Sequence, residues 1–240
     1  MTLSLLMRPI VGDLVSKPYE INAVQPSRMQ VLHMVVCCYF ILLVKAFRVR
    51  NDSRDSDIAQ AFQTYMVVPQ CIPNAPKNKL TLIFNNKEIE FGTKIHPFET
   101  VSASYLAYSA NPNVLHTLTI FDPDQPFLYL PFGGQLLQGL IVNIPGMDVQ
   151  HGDRLGVYVP HIPHPGSSYH RCVYLIFKQL EKIKITVDLR ISLSTNLTQF
   201  NVYEFAKKFK LGDPIAGNFF ISKLGTGEPR RVGTPQITGH

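Results

Sequence analysis

Short apolar runs separated by turn-forming residues dominate the chain after Lys79. They cover residues 80–84, 88–91, 115–121, 139–144, 154–159 and 172–177. Runs of this length, bounded by Gly, Pro and Asn, are typical of β-strands. The first two flank an Asn-Asn-Lys turn and predict a hairpin. Two of the runs are almost wholly apolar, as expected for central strands covered on both faces. The pattern predicts a mainly β fold.

One segment near the end has helical periodicity instead. Within residues 201–212, Val202, Phe205, Ala206 and Phe209 fall on one face, and Gly212 followed by Pro214 marks the end. We therefore expect one or two helices packed outside the sheet. The sequence contains no internal repeat.

The N-terminal part has a different character. Residues 31–44 form an apolar run broken only by His33. This run is too short to span a bilayer comfortably but has the length of a signal-peptide core, and a start at Met29 would place it where a signal belongs. The alternative is a buried or signal-anchor helix. We predict an extension over 1–56, a folded domain over 57–225 and a flexible tail over 226–240.

These features predict a secreted protein, with a cytoplasmic location as the alternative. Membrane contact is expected only through residues 31–44, if they are not cleaved. Two glycosylation sequons, at Asn51 and Asn196, are compatible with secretion but occur by chance in many chains.

Composition limits the classes of partner. Hydrophobic residues make up 45% of the 240 residues and charged residues 17%, so most of the chain folds. The net charge of +6 suits an anionic partner, but the charges are scattered, and we expect no nucleic-acid partner. The four cysteines lack metal-ligand spacing, so we predict no metal and no cofactor. Whether Cys71 and Cys172 pair stays open.

Candidate chemistry lies in two places. In the Phe-Asp-Pro-Asp-Gln-Pro segment (121–126), Pro123 fixes the backbone between two carboxylates, so Asp122 and Asp124 can point in different directions. His170 and Arg171 adjoin an apolar strand, on which successive side chains point to opposite faces. One of them could line a cavity with Asp122 and nearby glycine amides such as that of Gly166, which would suit a phosphate. Taken alone, these residues favour a purely structural role.

Taken together, the motifs resemble the phosphatidylethanolamine-binding protein family, which includes the Raf kinase inhibitor and plant flowering-time proteins. The resemblance runs from about residue 67 to 220 and is greatest to insect members. Five motifs carry it, in the order of the family: residues 67–82, Asp-Pro-Asp-Gln-Pro at 122–126, 141–146, the block around His-Arg at 166–179, and 205–220.

The resemblance implies a large central antiparallel sheet, a smaller second sheet and peripheral helices. It also implies a pocket for anionic head groups near the ends of central strands. Carried over to this chain, the predicted ligand-binding residues are Asp122, Asp124, Gln138 and His170. The predicted structural supports are Pro123, Pro126, Gly166 and Arg171. No catalytic residue is predicted, because no nucleophile stands beside a base in the motifs.

The chain departs from the family at the pocket. A Trp-His-His segment of the family reads Leu136, Leu137 and Gln138 here, and an amide cannot carry the charge of a His. Cys172 stands where the family has an aromatic residue, and Gly133 stands where the family has a pocket Tyr. Ile162 stands where the family has a Gly in the loop that faces the phosphate. The chain has no Trp, and its Gly- and Pro-rich end does not favour the helix that borders the pocket in the family.

The leading hypothesis is a non-enzymatic protein that binds phospholipid head groups or other small anions with weakened or altered specificity. The alternative is a structural or interaction protein on a degenerate pocket. It could resemble the family member in the large subunit of mitochondrial ribosomes, or act as a kinase or protease inhibitor with a protein partner. Only fold analogy supports the inhibitor alternative.

Overall fold

The computed structural model describes residues 28–101, 103, 105–125, 134–156 and 158–225. The chain divides into two units, residues 1–48 and 49–240. The helices are α1 (Arg28–Thr64), α2 (Val187–Thr195) and α3 (Val202–Lys208). The strands are β1 (Asn78–Lys79), β2 (Thr81–Phe84), β3 (Lys87–Glu88), β4 (Thr93–Lys94), β5 (Tyr105–Ala107), β6 (Leu115–Asp122), β7 (Leu136–Pro145), β8 (Asp153–Arg154), β9 (His170–Lys178) and β10 (Ala216–Ser222).

In the first unit, the apolar segment predicted at 31–44 is helical. All side chains described between Met29 and Val44 are exposed, including the large apolar ones. Among the described residues, no helix is long and apolar enough to cross a membrane. The predicted boundaries at 57 and 225 stay predictions, and the predicted tail lies outside the described residues.

The second unit confirms the mainly β prediction. A seven-stranded sheet has the order β1-β10-β9-β6-β7-β8, with β4 also pairing with β10, and a three-stranded sheet has the order β3-β2-β5. The long strands pair antiparallel, as expected, but β1 and β4 run parallel to β10, so the large sheet is mixed. The hairpin predicted at 80–91 is present as β2 and β3.

The almost wholly apolar strands are buried on both faces. In β9, Val173, Leu175 and Phe177 belong to a core cluster that also takes in residues of α2 and α3. Cys172, Tyr174 and Ile176 belong to a second cluster, which the small sheet covers. A strand covered on both sides has no polar face, which explains the absence of alternation in its sequence.

Two predicted elements differ from the structure, and one helix was not predicted. The strand predicted at 154–159 is only the two residues of β8, because the chain leaves the sheet before Gly156. The helix predicted at 201–212 ends at Lys208, and Lys210 and Gly212 both have positive φ angles. The sequence analysis missed α2, which buries only Leu189 and therefore has a weak apolar periodicity.

Candidate functional site

The site lies where β6 ends and β9 begins. These strands are antiparallel neighbours, with Phe121 opposite Val173, so Asp122 at the end of β6 comes beside His170 at the start of β9. The pairing of β6 with β7 shifts register between Ile120 and Phe121, and Gln138 is the extra residue on β7. Strand pairing therefore brings together three of the predicted ligand-binding residues.

Asp122 is fully buried and hydrogen-bonded through both oxygens. Its Oδ2 lies 3.1 Å from Nδ1 of His170, and its Oδ1 accepts from the backbone amide of Asp124 at 2.7 Å. A buried carboxylate requires such donors. The pair fixes the orientation of the His170 ring, and Nε2 is then the ring nitrogen left to contact a ligand.

Asp124 and Arg171 form a second, distinct pair. Nε and Nη2 of Arg171 donate to the two carboxylate oxygens of Asp124 at 2.7 and 2.6 Å, and the backbone amide of Arg171 donates to Asp124 at 2.8 Å. The guanidinium also donates to the carbonyl of Tyr65 and to Gln70. Arg171 thus lies in a structural frame, and the charge of Asp124 is neutralised.

Gln138 is buried behind these pairs. Its Oε1 accepts from the Cys172 thiol at 3.1 Å and lies 3.3 Å from Nδ1 of His161. Its Nε2 has no hydrogen-bond partner among the described residues. Burial raises the pKa of Cys172 well above its ordinary value, so this thiol stays protonated and can donate to Gln138.

His161 is a member of the site that the sequence analysis did not single out. Its ring is fully buried, and Nδ1 lies 3.6 Å from Oδ2 of Asp122. The ring packs edge-on against Phe220, with 5.3 Å between the ring centroids. Burial, only partly offset by Asp122, lowers the pKa of His161 to about 4. The ring is therefore neutral at physiological pH. A His between prolines in the loop before β9 was the one signal in the sequence.

A cavity of about 340 Å³ opens beside His170. Its lining consists of Asp124, His164, Pro165, Gly166, Ser167, Ser168 and His170. Gly166 has a φ of +80°, and its amide donates to the carbonyl of Leu224 at 3.3 Å. That amide is consequently engaged in holding the loop and is not a free donor for a phosphate.

The remaining predicted residues lie nearby or outside the described part. Pro123 is half-buried in the turn after β6 and lines a different cavity, of about 550 Å³. Pro126 and Gly133 lie outside the described residues, and Ile162 is half-buried beside His161. Cys71 and Cys172 are free thiols. Among the described residues, no group of three His, Cys, Asp or Glu could hold a metal ion.

Comparison with known proteins confirms the resemblance. The chain belongs to the phosphatidylethanolamine-binding protein family. It is 30% identical over 168 residues to Protein CENTRORADIALIS-like of Arabidopsis thaliana, covering 69% of this chain and 90% of that protein. It is 27% identical over 176 residues to a putative odorant-binding protein A5 of Drosophila melanogaster, covering 72% of this chain and 84% of that protein. No family model matches the chain.

A third relative is a 26 kDa secreted antigen of Toxocara canis, 29% identical over 159 residues, which are 65% of this chain and 61% of the antigen. Among solved structures, the match to a carboxypeptidase Y inhibitor complexed with its cognate proteinase covers 71% of this chain and 96% of the matched chain. The TM-score is 0.57 and the identity 18%. The match to a phosphatidylethanolamine-binding protein of Plasmodium vivax covers 69% of this chain and 97% of that protein, with a TM-score of 0.50 and 13% identity. At these identities the structures show the fold alone.

Proposed function

We propose that this protein binds phospholipid head groups or other small anions through the cavity beside His170. The observation that carries the proposal is a cavity of about 340 Å³ next to a buried His-carboxylate pair. His170 lines this cavity with the Nδ1 of its ring engaged by Asp122, and Ser168 adds a hydroxyl group at the lining. Hydroxyl and imidazole groups are suitable donors for a phosphate oxygen.

The charges around the cavity support an anionic ligand. Among the described residues, Asp124 is the one carboxylate of the lining, and its pairing with Arg171 removes the repulsion that it would otherwise exert. Nε2 of Gln138, which does not itself line the cavity, is a buried donor without a partner among the described residues. An unpaired buried donor is costly, so an acceptor that reaches it gains free energy.

We expect weaker binding than a pocket with two charged imidazoles would give. Gln138 carries no charge, and the neutral ring of His161 fills the space between Gln138 and Asp122. Binding is favoured over hydrolysis, because the Ser167 hydroxyl at the cavity donates to the carbonyl of Ser168 and not to a histidine.

An extracellular location fits this function. Relatives include proteins named as a secreted antigen and a putative odorant-binding protein. The apolar segment at 31–44 has the length of a signal core, and Asn196 of the second sequon is exposed after α2.

The test is titration of the protein with phosphorylethanolamine, followed by NMR of backbone amides. We expect saturable shifts around Asp122, Ser167 and His170. They should vanish in His170→Ala and weaken about tenfold in Gln138→Leu, which removes one hydrogen-bond donor to a charged group. His151→Ala, an exposed histidine elsewhere, is the matched control. Absence of shifts at millimolar ligand in the parent protein would reject the proposal.

A further inference from the structure

A third cavity, of about 560 Å³, lies between the two sheets. It opens at the β7–β8 edge, and Ile120, Leu140 and Tyr174 of the large sheet line it. Leu106 of β5 lines it from the small sheet. It shares no lining residue with the cavity beside His170. Its volume is within the usual range for small-molecule sites.

The core between the sheets is incompletely closed at this point. Seven partly buried apolar side chains pack against the second core cluster, the one that contains Cys172, Tyr174 and Ile176. Five of these seven line the cavity: Ala103, Leu106, Ile141, Val149 and Tyr158. Their uncovered apolar surface is concentrated in one place, and an apolar ligand that covers it would be stabilised by its removal from water.

The inner end of the cavity is polar but satisfied. The Tyr158 hydroxyl donates to the carbonyl of Thr100 at 3.2 Å and lies 3.5 Å from the Tyr174 hydroxyl. Burial raises the pKa of both phenols, so they stay neutral. This end accommodates an apolar group and offers no countercharge to an ionic one.

One guanidinium group lines the rim, and a second lies beside it. Arg154 is exposed and lines the cavity, and Nη1 of Arg190 donates to the Arg154 carbonyl at 3.0 Å. Asp153, the adjacent carboxylate, accepts from the side-chain amide of Asn143 at 2.8 Å. Among the described residues, no ion pair joins either guanidinium to a carboxylate. The complement of this rim is an anion.

We propose that this cavity binds an amphipathic carboxylate with a single unbranched apolar chain, such as a medium-chain fatty acid. The chain lies between the sheets against Leu106, Ile141 and Val149. The carboxylate lies at the rim, where the Arg154 guanidinium donates to it, since guanidinium and carboxylate match in charge and geometry.

The head-group test compares decanoate, labelled with ¹³C at the carboxyl carbon, with uncharged decanol, both titrated below their aggregation limits. Arg154→Gln should weaken decanoate binding about tenfold, the effect of one charge-assisted hydrogen bond, and leave decanol binding unchanged. Lys182→Gln removes one charge from an exposed site elsewhere and should change neither decanoate binding nor decanol binding. Equal loss of both ligands in Arg154→Gln would overturn the proposed ion pair.

The cavity test uses Gly156→Phe. A β-carbon at Gly156 meets no heavy atom within 4 Å, so the side chain has room, and we expect it to abolish binding of both ligands. A second measurement uses the parent protein, so its result does not depend on whether Gly156→Phe folds. Nuclear Overhauser effects should connect the ligand chain to methyl groups of Leu106 and Val149. Failure of decanoate to bind, or contacts at His170 in place of these methyl groups, would overturn the proposal.

Discussion

At the scale of single residues, the cost of burying polar groups is concentrated around Asp122. Asp122, Gln138, His161 and His170 are all almost completely buried, and Nε2 of both Gln138 and His161 lacks a partner among the described residues. Each such atom costs about 1 to 3 kcal/mol. Buried polar atoms without partners are rare in folded proteins, and their concentration here supports the proposed binding site.

His161 should make the stability of the protein depend on pH. The unfolded chain protonates this ring near the ordinary pKa of 6.5, whereas burial lowers the pKa of His161 in the folded protein to about 4. The unfolded state therefore binds more protons between these values, and stability falls as the pH falls through that window. From pH 7 to pH 5 we expect this residue to lower the free energy of unfolding by about 2 kcal/mol.

Urea unfolding of the parent protein and His161→Leu at both pH values measures this contribution. The variant should lose about 2 kcal/mol less than the parent on acidification. His151→Leu, which removes an exposed histidine and its surface contact with Asp148, should change this pH dependence by less than about 1 kcal/mol. The same pH dependence in the parent and in His161→Leu would show that the ring is not held neutral.

At the scale of elements, Arg171 is the residue that holds separate segments together. Its guanidinium contacts the turn after β6 through Asp124, the residue that follows α1 through the Tyr65 carbonyl, and the loop beyond it through Gln70. These partners are 47, 106 and 101 residues away along the chain. The guanidinium makes four hydrogen bonds to these three partners, one more than the three N–H groups of an ammonium could each donate.

Arg171→Met should lower the free energy of unfolding by about 3 kcal/mol, because it leaves Asp124 largely buried without its countercharge. The control is Lys79→Met, which removes a cation paired with Glu88 and Glu90 at a more exposed site. It should cost less than about 1 kcal/mol. Chemical denaturation of both variants measures the difference. Similar losses of unfolding free energy in the two variants would mean that the Arg171–Asp124 pair contributes no more than an ordinary surface ion pair.

At the scale of the whole molecule, the large sheet separates two apolar clusters. One contains the helical side chains Val202 and Phe205, and the other contains residues of the small sheet. Cys71 lies in the first cluster and Cys172 in the second, both as buried free thiols. Burial raises the pKa of Cys71 to about 11, so its reactive thiolate form is rare, which is compatible with an oxidising compartment.

The proposed extracellular location predicts glycosylation at Asn196, which is exposed. The full chain, expressed in an animal cell line, should reach the medium, and its electrophoretic mobility should change on enzymatic removal of N-linked glycans. That change should be lost or reduced in Asn196→Gln but not in Asn85→Gln, an asparagine outside any sequon. Retention of an unglycosylated protein inside the cell would contradict the proposed location.

The sequence by itself determined the mainly β fold, the long strands and the motifs of the family. These depend on local signals: apolar runs, turn residues, and Asp, Pro, His and Arg at fixed spacing. Such signals also indicated that Asp122 and His170 belong to one site. The sequence did not reveal α2 or the short length of β8, because neither has a strong periodicity of its own.

Only the tertiary structure decided what surrounds that site. Strand register places Gln138 at a bulge, and packing against Phe220 buries His161 beside Asp122. The amide of Gly166 is engaged by Leu224, and the space between the sheets depends on how far the small sheet covers the large one. Contacts between distant segments arise from packing, and no local pattern in the chain encodes them.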